Sequence, residues 1–572
     1  MKNKLQDYIG ELISKASEPH FGWGAGAGST DTSTYKCACG KGIVVHLKED
    51  TPSFRESDWI INCADCLANF TYPTKESVHN RGCEAIGKTM GELATAMESK
   101  VSAKKSQVGY AWESWFGVVT NSEAGKDLTK AGVELKSTGV IDTRNGKSAK
   151  ERLVLNIINY IEEYQMDFYR SSFWTKNNRM EIAFYAHDKT KIWMDFEILK
   201  SVLFEFPEKD LIIIEQDFDI IQSYINSGNA HKLSESLTMY LGACPKGTNK
   251  NSVRRQHPNL NAPRAIQRAY SLKNSYMTYL VRNYVFGELS DKNIRLAPFT
   301  VSEETVDSVE SEAVSLVPDV QGYLESGCAS FEAYILSKIQ KWIGCTQIDM
   351  ANRLGIVPDQ NGLYPKHINA MLISRILGIS DVEKAEEFQK AGIIVKTITV
   401  EASGGIREQM SFPAFRFKDL AQETWEESTL KDFFESAKFF LVVFKKDTEG
   451  RQIFQGVKFF SLPQHDIEGL VRGAWQETVD TINKGVVLEN TQINPKKKPR
   501  IKNNFVNASD KRIIHVRPHA SLASYILDSN SDELPVKAVW INKPRGYSDN
   551  YMTKQCFWLN NDYILSQIKD IL

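Results

Sequence analysis

Four residues could together build a metal site. Asp127 lies seven residues before Glu134, Lys136 lies two after it, and Glu113 lies fourteen before Asp127. In "KAGVELKST" at 130–138, Val133, Leu135 and Ser137 alternate with Glu134, Lys136 and Thr138. That alternation reads as a strand and turns Glu134 and Lys136 to one side. Asp127 would enter from a preceding turn, and Glu113 from the helical pattern "AWESWFG". Two carboxylates and the Leu135 carbonyl suit Mg²⁺, a hard cation that keeps several of its waters. Such an ion acidifies water and screens charge at phosphorus, which is what phosphodiester hydrolysis requires. Lys136 would hold the attacking water and offset phosphate charge. Glu113 would add an outer contact or one to a second metal. Taken alone, Glu-x-Lys is a common pattern on solvated strand faces.

A second set is built from cysteine. "CACG" at 37–40 and "CADC" at 63–66 form two knuckles, with the strand patterns "GIVVHL" and "DWIIN" between them. Cys37, Cys39, Cys63 and Cys66 match a structural Zn²⁺ site. His46 and Cys83 are alternative ligands, and free thiols are the competing reading. Four thiolates leave no open position for catalysis. A zinc deaminase needs His-x-Glu, whereas His46 precedes Leu47 and Lys48. His79-Asn80 suggests a His-Asn-His nuclease, but no companion histidine accompanies it.

The elements that must position these residues follow from the pattern. "HFGWGAGAGSTDTSTYK" at 20–36 lacks helical period and reads as loop. "IGKTMGELATAMESK" puts Ile86, Met90, Leu93 and Met97 on one helical stripe, and a further helix covers Val108–Phe116. Strands follow in "GVELKSTGVI" and "MEIAFYAHD", then helices to about 285. The acidic segment 302–313 reads as a linker. Beyond it a helix-rich block again passes into strands, "GIIVKTITVEA" and "FFLVVFKKD". Placing Lys130 on Lys390 matches Ala131, Gly132 and Lys136 to identical Ala391, Gly392 and Lys396. "WESWFG" at 112–117 resembles "IQKWIG" at 339–344, and 179–194 resembles 438–454. "RAYSLKNSYMTYL" at 268–280 echoes "RGYSDNYMTKQCF" at 545–557. Four matches in one order predict two copies of one fold.

The bulk numbers bound the class. A chain of 572 residues exceeds one ordinary core. Its 42% hydrophobic and 25% charged residues are those of a globular protein. No apolar run reaches membrane-spanning length. The start, "MKNKLQDYIGELISK", reads as an amphipathic helix rather than a signal peptide. Nine cysteines without a secretion signal point to a reducing cytoplasm. The net charge of −1 gives no global attraction to nucleic acid. "NPKKKPRIKNN" at 494–504 concentrates Lys496, Lys497, Lys498, Arg500 and Lys502, a solvated loop or a phosphate contact.

"GYAWESWFGVVTNSEAGKDLTKAGVELKSTGV" at 109–140 resembles the core of the MutH mismatch-repair nickase and the related GATC-cutting type II restriction enzymes, the MutH/Sau-type family. Glu113, Asp127, Glu134 and Lys136 match that family's catalytic types and spacings, with Asp127 and Glu134 as the Mg²⁺ ligands. The resemblance extends to "CEAIGKTMGELA", "MYLGACPKG" and "AYSLKNSYM". It implies a PD-(D/E)XK nuclease core, a mixed sheet flanked by helices, that hydrolyses DNA with Mg²⁺ to leave 5′-phosphate and 3′-hydroxyl. Lys246 and Lys273 become expected DNA contacts, although Cys244 stands where the family has a basic residue. In the second copy Ile394 replaces Glu134, Glu387 replaces Asp127 and Gln340 replaces Glu113. "HVRPHAS" at 515–521 still resembles the family's DNA loop, which makes Arg517 and His519 expected contacts.

The expectation is therefore α/β: two tandem restriction-endonuclease-like domains plus a small zinc module held by four cysteines. The module is placed at 1–84, a cutting domain at 85–300, a linker at 301–320 and a silent effector-binding domain at 321–572. The expected partners are double-stranded DNA, at two sites at once, and a companion DNA methyltransferase. A mismatch-repair nickase and a non-catalytic DNA-binding regulator are the competing functions.

Overall fold

The structure is a computed structural model that describes residues 20–23, 29–50, 55–95, 107–118, 125–143, 146–246, 252–287, 315–317, 320–406, 410–492, 494 and 497–572. The expected N-terminal helix, Met97, Lys496 and the acidic segment 302–313 lie outside the described residues. Two units divide the chain: 1–231 with 243–309, and 232–242 with 310–572.

The first unit begins with an antiparallel meander, β1 (His20–Trp23), β2 (Ser29–Lys36), β3 (Ile43–Asp50) and β4 (Arg55–Asn62). Of residues 20–36, expected to be loop, the described ones, 20–23 and 29–36, are strand. β2 is "STDTSTYK", whose threonines fit a pleated surface, and it pairs along its whole length with β3. Want of a helical period in this stretch reflects a strand period. The helix α1 (Ala64–Thr71) follows directly from β4, and α2 (Lys75–Cys83) starts from a reciprocal Thr74–Ser77 capping box. α2 packs against strands of the main sheet described next, which ties residues 75–83 to that sheet.

The expected helix from 86 begins only at Met90, as α3 (Met90–Thr95). Gly87 has φ +82°, a left-handed conformation that stops a helix from starting earlier. Thr89 then caps the helix, its hydroxyl accepting from the Glu92 amide at 3.3 Å. Ile86 is left exposed. α4 (Gln107–Trp115) matches its expected position.

The main sheet of the unit has the order β6-β5-β8-β9, formed by β5 (Glu134–Thr143), β6 (Gly146–Ala149), β8 (Arg179–Ala186) and β9 (Ile198–Glu205). β5 and β8 are parallel, with Glu134 opposite Met180 and Lys136 opposite Ile182. α5 (Ser172–Asn177) leads into β8, and the long α6 (Glu208–Asn226) follows β9. Trp112, Phe116, Leu128, Val133, Leu135 and Tyr185 share one buried cluster, which fixes α4 and the turn before β5 against the sheet. A second sheet, order β10-β13-β7, joins β7 (Leu153–Ile157), β10 (Leu241–Pro245) and β13 (Arg268–Leu272). Between β10 and β13 rises a two-stranded ribbon, β11 (Val253–Arg254) with β12 (Ala265–Ile266). α7 (Asn274–Leu280) follows β13.

The second unit repeats this order. α8 (Glu386–Ala391) ends at Gly392, φ +67°, and β14 (Ile393–Val400) begins. β14 is parallel to β16 (Lys438–Lys446), which is antiparallel to β17 (Gln452–Phe460). Ile394 stands opposite Phe439 and Lys396 opposite Leu441, the same rungs that Glu134 and Lys136 hold in the first unit. α9 (Thr429–Ser436) precedes β16 as α5 precedes β8, and α10 (Arg472–Lys484) follows the sheet as α6 does. A second sheet again has three strands, β15 (Met410–Phe415), β18 (Ile514–Pro518) and β19 (Gln555–Leu559), in the order β15-β19-β18.

One predicted correspondence is displaced. β13, one cap residue and the seven-residue α7 are matched by β19, Asn560 and the seven-residue α11 (Asn561–Gln567). The counterpart of 268–280 thus begins at 555, not at 545. Residues 551–553 instead pair with 531–533.

Candidate active site

The site begins in a tight turn. Leu128 and Val133 exchange both backbone hydrogen bonds, at 3.0 and 3.1 Å, and Gly132 at φ +68° lets the chain reverse between them. That reversal brings Asp127 to the start of β5. The two carboxylates are then braced crosswise. The Leu135 amide donates to Asp127 Oδ2 at 2.9 Å, and the Asp127 amide donates to Glu134 Oε2 at 3.3 Å. Lys136 Nζ donates to Glu134 Oε1. Backbone amides therefore set both acidic groups, and no side-chain rotamer alone decides their direction.

Glu134 is only 2% exposed. Burial pushes its carboxyl up from the ordinary range; Lys136 opposes this, Asp127 adds to it, and Lys176 opposes it again. Lys176, on α5, lies 3.6 Å from Glu134 Oε1. A second lysine braces the turn: Lys126 Nζ donates to the Gly132 carbonyl at 2.6 Å and to Asn178 Oδ1. Burial, and then the neighbouring Arg179 charge, lower Lys126 to about 8. Neither lysine stands out in the sequence. Lys176 arrives from forty residues beyond Lys136, and Lys126 is one more lysine in a lysine-rich stretch. Glu113 is half-buried on α4, which packs on β5.

The corresponding positions of the second unit do different work. Glu387 is buried, and its carboxylate accepts from Ser315 Oγ at 2.6 Å and from the amides of Leu316 and Val317 at 2.8 and 3.2 Å. Glu386, at the position of Lys126, binds Lys390 at 2.6 Å. Glu435 takes the place of Lys176 before the parallel strand and accepts from Gln464 at 3.0 Å. Gln340 is exposed, Ile394 packs against the hydrophobic core, and Lys396 remains half-buried.

The expected DNA loops are equivalent in backbone. The Lys246 amide donates to the Gln267 carbonyl at 2.8 Å, one residue before β13. The His519 amide donates to the Lys554 carbonyl at 2.8 Å, one residue before β19. Cys244-Pro245-Lys246 and Arg517-Pro518-His519 thus occupy the same place in their units. Lys246, Arg517 and His519 are exposed, and the Arg517 guanidinium lies 5.1 Å over the Trp558 ring. Lys273 is 1% exposed and is the cap residue before α7.

The four cysteines converge. Their sulfurs lie within 4.8 Å of one another, with Cys39 at 3.1 Å from Cys37 and 3.4 Å from both Cys63 and Cys66. The first knuckle closes through Gly40, φ +75°, and the Gly42 amide donates to Cys37 Sγ at 3.1 Å. Cys63 precedes α1 and Cys66 lies in its first turn. Tetrahedral ligation at zinc–sulfur distances separates sulfurs by about 3.8 Å, so a small adjustment accommodates the ion. The alternative ligands are elsewhere. His46 bonds Ser57 at 2.7 Å and stacks on Trp59. Cys83 lies 3.6 Å from His79 Nε2, and His79 Nδ1 lies 3.1 Å from the buried Glu181. His79 is thus a packed partner of Glu181 and Cys83.

Comparison with known proteins agrees with this geometry. The family model for "DNA mismatch repair enzyme MutH" matches residues 116–217, the span that contains Asp127, Glu134, Lys136 and Lys176. The chain is 41% identical over 518 residues to the type II restriction enzyme Sau3AI of Staphylococcus aureus, a match covering 88% of this chain and 100% of that protein. Likeness of this extent spans both units. The chain belongs to the MutH-related family of type II restriction endonucleases, nucleases that act on DNA.

Proposed function

We propose that the chain makes Mg²⁺-dependent double-strand cuts at GATC in duplex DNA. The observation that carries this reading is the crosswise bracing of Asp127 and Glu134 beside Lys136. The donor set fits the ion: two carboxylates of fixed direction and the Leu135 carbonyl are hard oxygen ligands of the kind Mg²⁺ prefers. When bound, the ion supplies acidified water and charge neutralisation at phosphorus. Asp127 and Glu134 hold it. Lys136 orients the attacking water and donates hydrogen bonds as charge builds on the phosphate. Lys176, after Lys136, favours the ionised form of the buried Glu134 against the effect of burial. Glu113 completes the set from α4.

In this reading residues 85–300 cut, together with the α2 segment that packs on their sheet. Residues 321–572 bind a second DNA site without cutting, because Ile394 offers no oxygen and Glu387 is engaged by residues 315–317. Lys246 contacts DNA in the first unit, and Arg517 and His519 in the second. Cys37, Cys39, Cys63 and Cys66 hold a structural Zn²⁺ that gives the N-terminal module its core. A DNA methyltransferase of the same specificity protects the host.

Incubation of the protein with Mg²⁺ and sequenced plasmid, methylated and unmethylated, tests the reading. Fragments ending at GATC support it. Nicks alone indicate a repair nickase, and binding without cleavage indicates a regulator.

A further inference from the structure

Between Glu235 and Glu288 the sequence holds eight lysines and arginines and no acidic residue, in a chain whose net charge is −1. The structure concentrates part of that charge on one projection. The ribbon β11–β12 grows from the Lys246 loop: the Lys246 amide bonds the Gln267 carbonyl, and the Gln267 amide bonds the Ser252 carbonyl, both at 2.8 Å. Arg254 and Arg264 are exposed on the ribbon, and neither pairs with a carboxylate among the described residues. At its far end Leu260 is 79% exposed.

The projection is built rather than loose. Gln256 is 1% exposed; its amide donates to the Pro263 carbonyl and lies 3.1 Å from His231. Arg255 spends its guanidinium on the carbonyls of His257 and Pro258, at 3.2 and 2.8 Å. His257 Nε2 donates to the Asn226 carbonyl at the end of α6 (3.1 Å), while its Nδ1 accepts from the Asn259 amide (3.0 Å). So Arg255 and His257 stiffen the turn, and Arg254, Arg264 and Leu260 face outward. Two cations flanking an apolar tip suit a polyanion with a recessed apolar floor. A two-stranded ribbon has the width of a DNA major groove.

We propose that residues 252–266 form a second DNA-contacting element of the cutting unit, with Arg254 and Arg264 on backbone phosphates and Leu260 against base edges within the groove. The proposal rests on the reading of the chain as a duplex-specific nuclease. It adds to the Lys246 loop an element whose charge grips any sequence and whose tip meets the bases.

The test is equilibrium binding of a GATC duplex and a scrambled duplex from about 50 to 200 mM salt, in a Glu134→Ala background that does not cut. Arg254→Ala with Arg264→Ala is expected to weaken both complexes and to lower the salt slope by roughly two, since each phosphate contact contributes about 0.9. Leu260→Ala is expected to weaken binding with the slope unchanged, because an apolar contact releases no counterions. Arg264→Glu should weaken binding further than Arg264→Ala. Unchanged melting temperatures separate these effects from loss of fold. If parent and double variant share one slope and one affinity, the ribbon does not touch DNA. If the parent itself binds no duplex at the lowest salt, the nuclease reading falls and takes the ribbon with it.

Discussion

Ile394 holds the rung opposite Phe439 that Glu134 holds opposite Met180 in the other unit. One ladder position therefore carries a metal-ligand type in one unit and a core side chain in the other. Glu134→Ala should lower plasmid cleavage ~10³-fold or more while binding to GATC duplex persists. Cleavage at the parent rate would remove Glu134 from the site.

Ile394→Glu is not expected to create a second cutting centre. Glu387 is bound to residues 315–317, Glu386 replaces Lys126, and Glu435 replaces Lys176. A new carboxylate at 394 would have Lys396 in place of Lys136 but would meet acidic Glu386 and Glu435 where the first unit has Lys126 and Lys176. Combined with Glu134→Ala, the substitution should leave cleavage undetectable; restored cutting by the double variant would refute this account.

Lys176→Ala should slow cleavage by about 10–100-fold, through loss of a positive charge beside a buried carboxylate. Its effect on the affinity for DNA should be small. Lys176→Arg should recover part of the rate, since the charge returns at a different reach. Single-turnover rates at saturating protein separate the two effects, and an unaltered rate for Lys176→Ala would make that lysine a bystander.

Cys63→Ser with Cys66→Ser should abolish zinc retention by the purified protein, read by metal analysis. Removing two of four thiolates leaves a site that cannot close a tetrahedron. Zinc content equal to the parent's would move the ion elsewhere.

His79 predicts a pH dependence of stability. Its contact with Cys83, and then with Glu181, raises it to about 10 from an ordinary value of 6.5, despite burial. A group raised on folding stabilises fully below its unfolded value and loses that contribution as pH climbs through its folded value. The pair should therefore help most below about pH 6.5 and progressively less toward pH 10. His79→Ala should cost on the order of 3 kcal/mol near pH 6 and less at pH 9.5. Denaturant midpoints at both values check it, and an equal cost at each would discard the charged pair.

Legibility in the sequence tracked locality. Asp127, Glu134 and Lys136 come together through one turn and one strand, so their spacing already implied their meeting. Both cysteine knuckles are equally local. Lys176 and Lys126 owe their positions to α5 and Asn178, which no spacing announces. The burial of Lys273 depends on what packs over α7, invisible in "AYSLKNSYM". The ten-residue displacement near the C-terminus has a related cause. Strands β13 and β19 share backbone pairing but almost no side chains, so the resemblance of "RGYSDNYM" to "RAYSLKNSYM" pointed to the wrong segment. Threonine-rich β2 is legible by propensity, with a period of two that a search for the helical 3.6 does not register.

Lys246 and His519 are each held by a main-chain amide donating to a main-chain carbonyl. These backbone bonds make no use of the Lys246 and His519 side chains, both of which are exposed. Residues there are free to change during descent without a cost in stability, and the two units can diverge in what they read while keeping one scaffold. Lysine in one loop and histidine in the other, at positions 246 and 519, shows such drift within a single polypeptide.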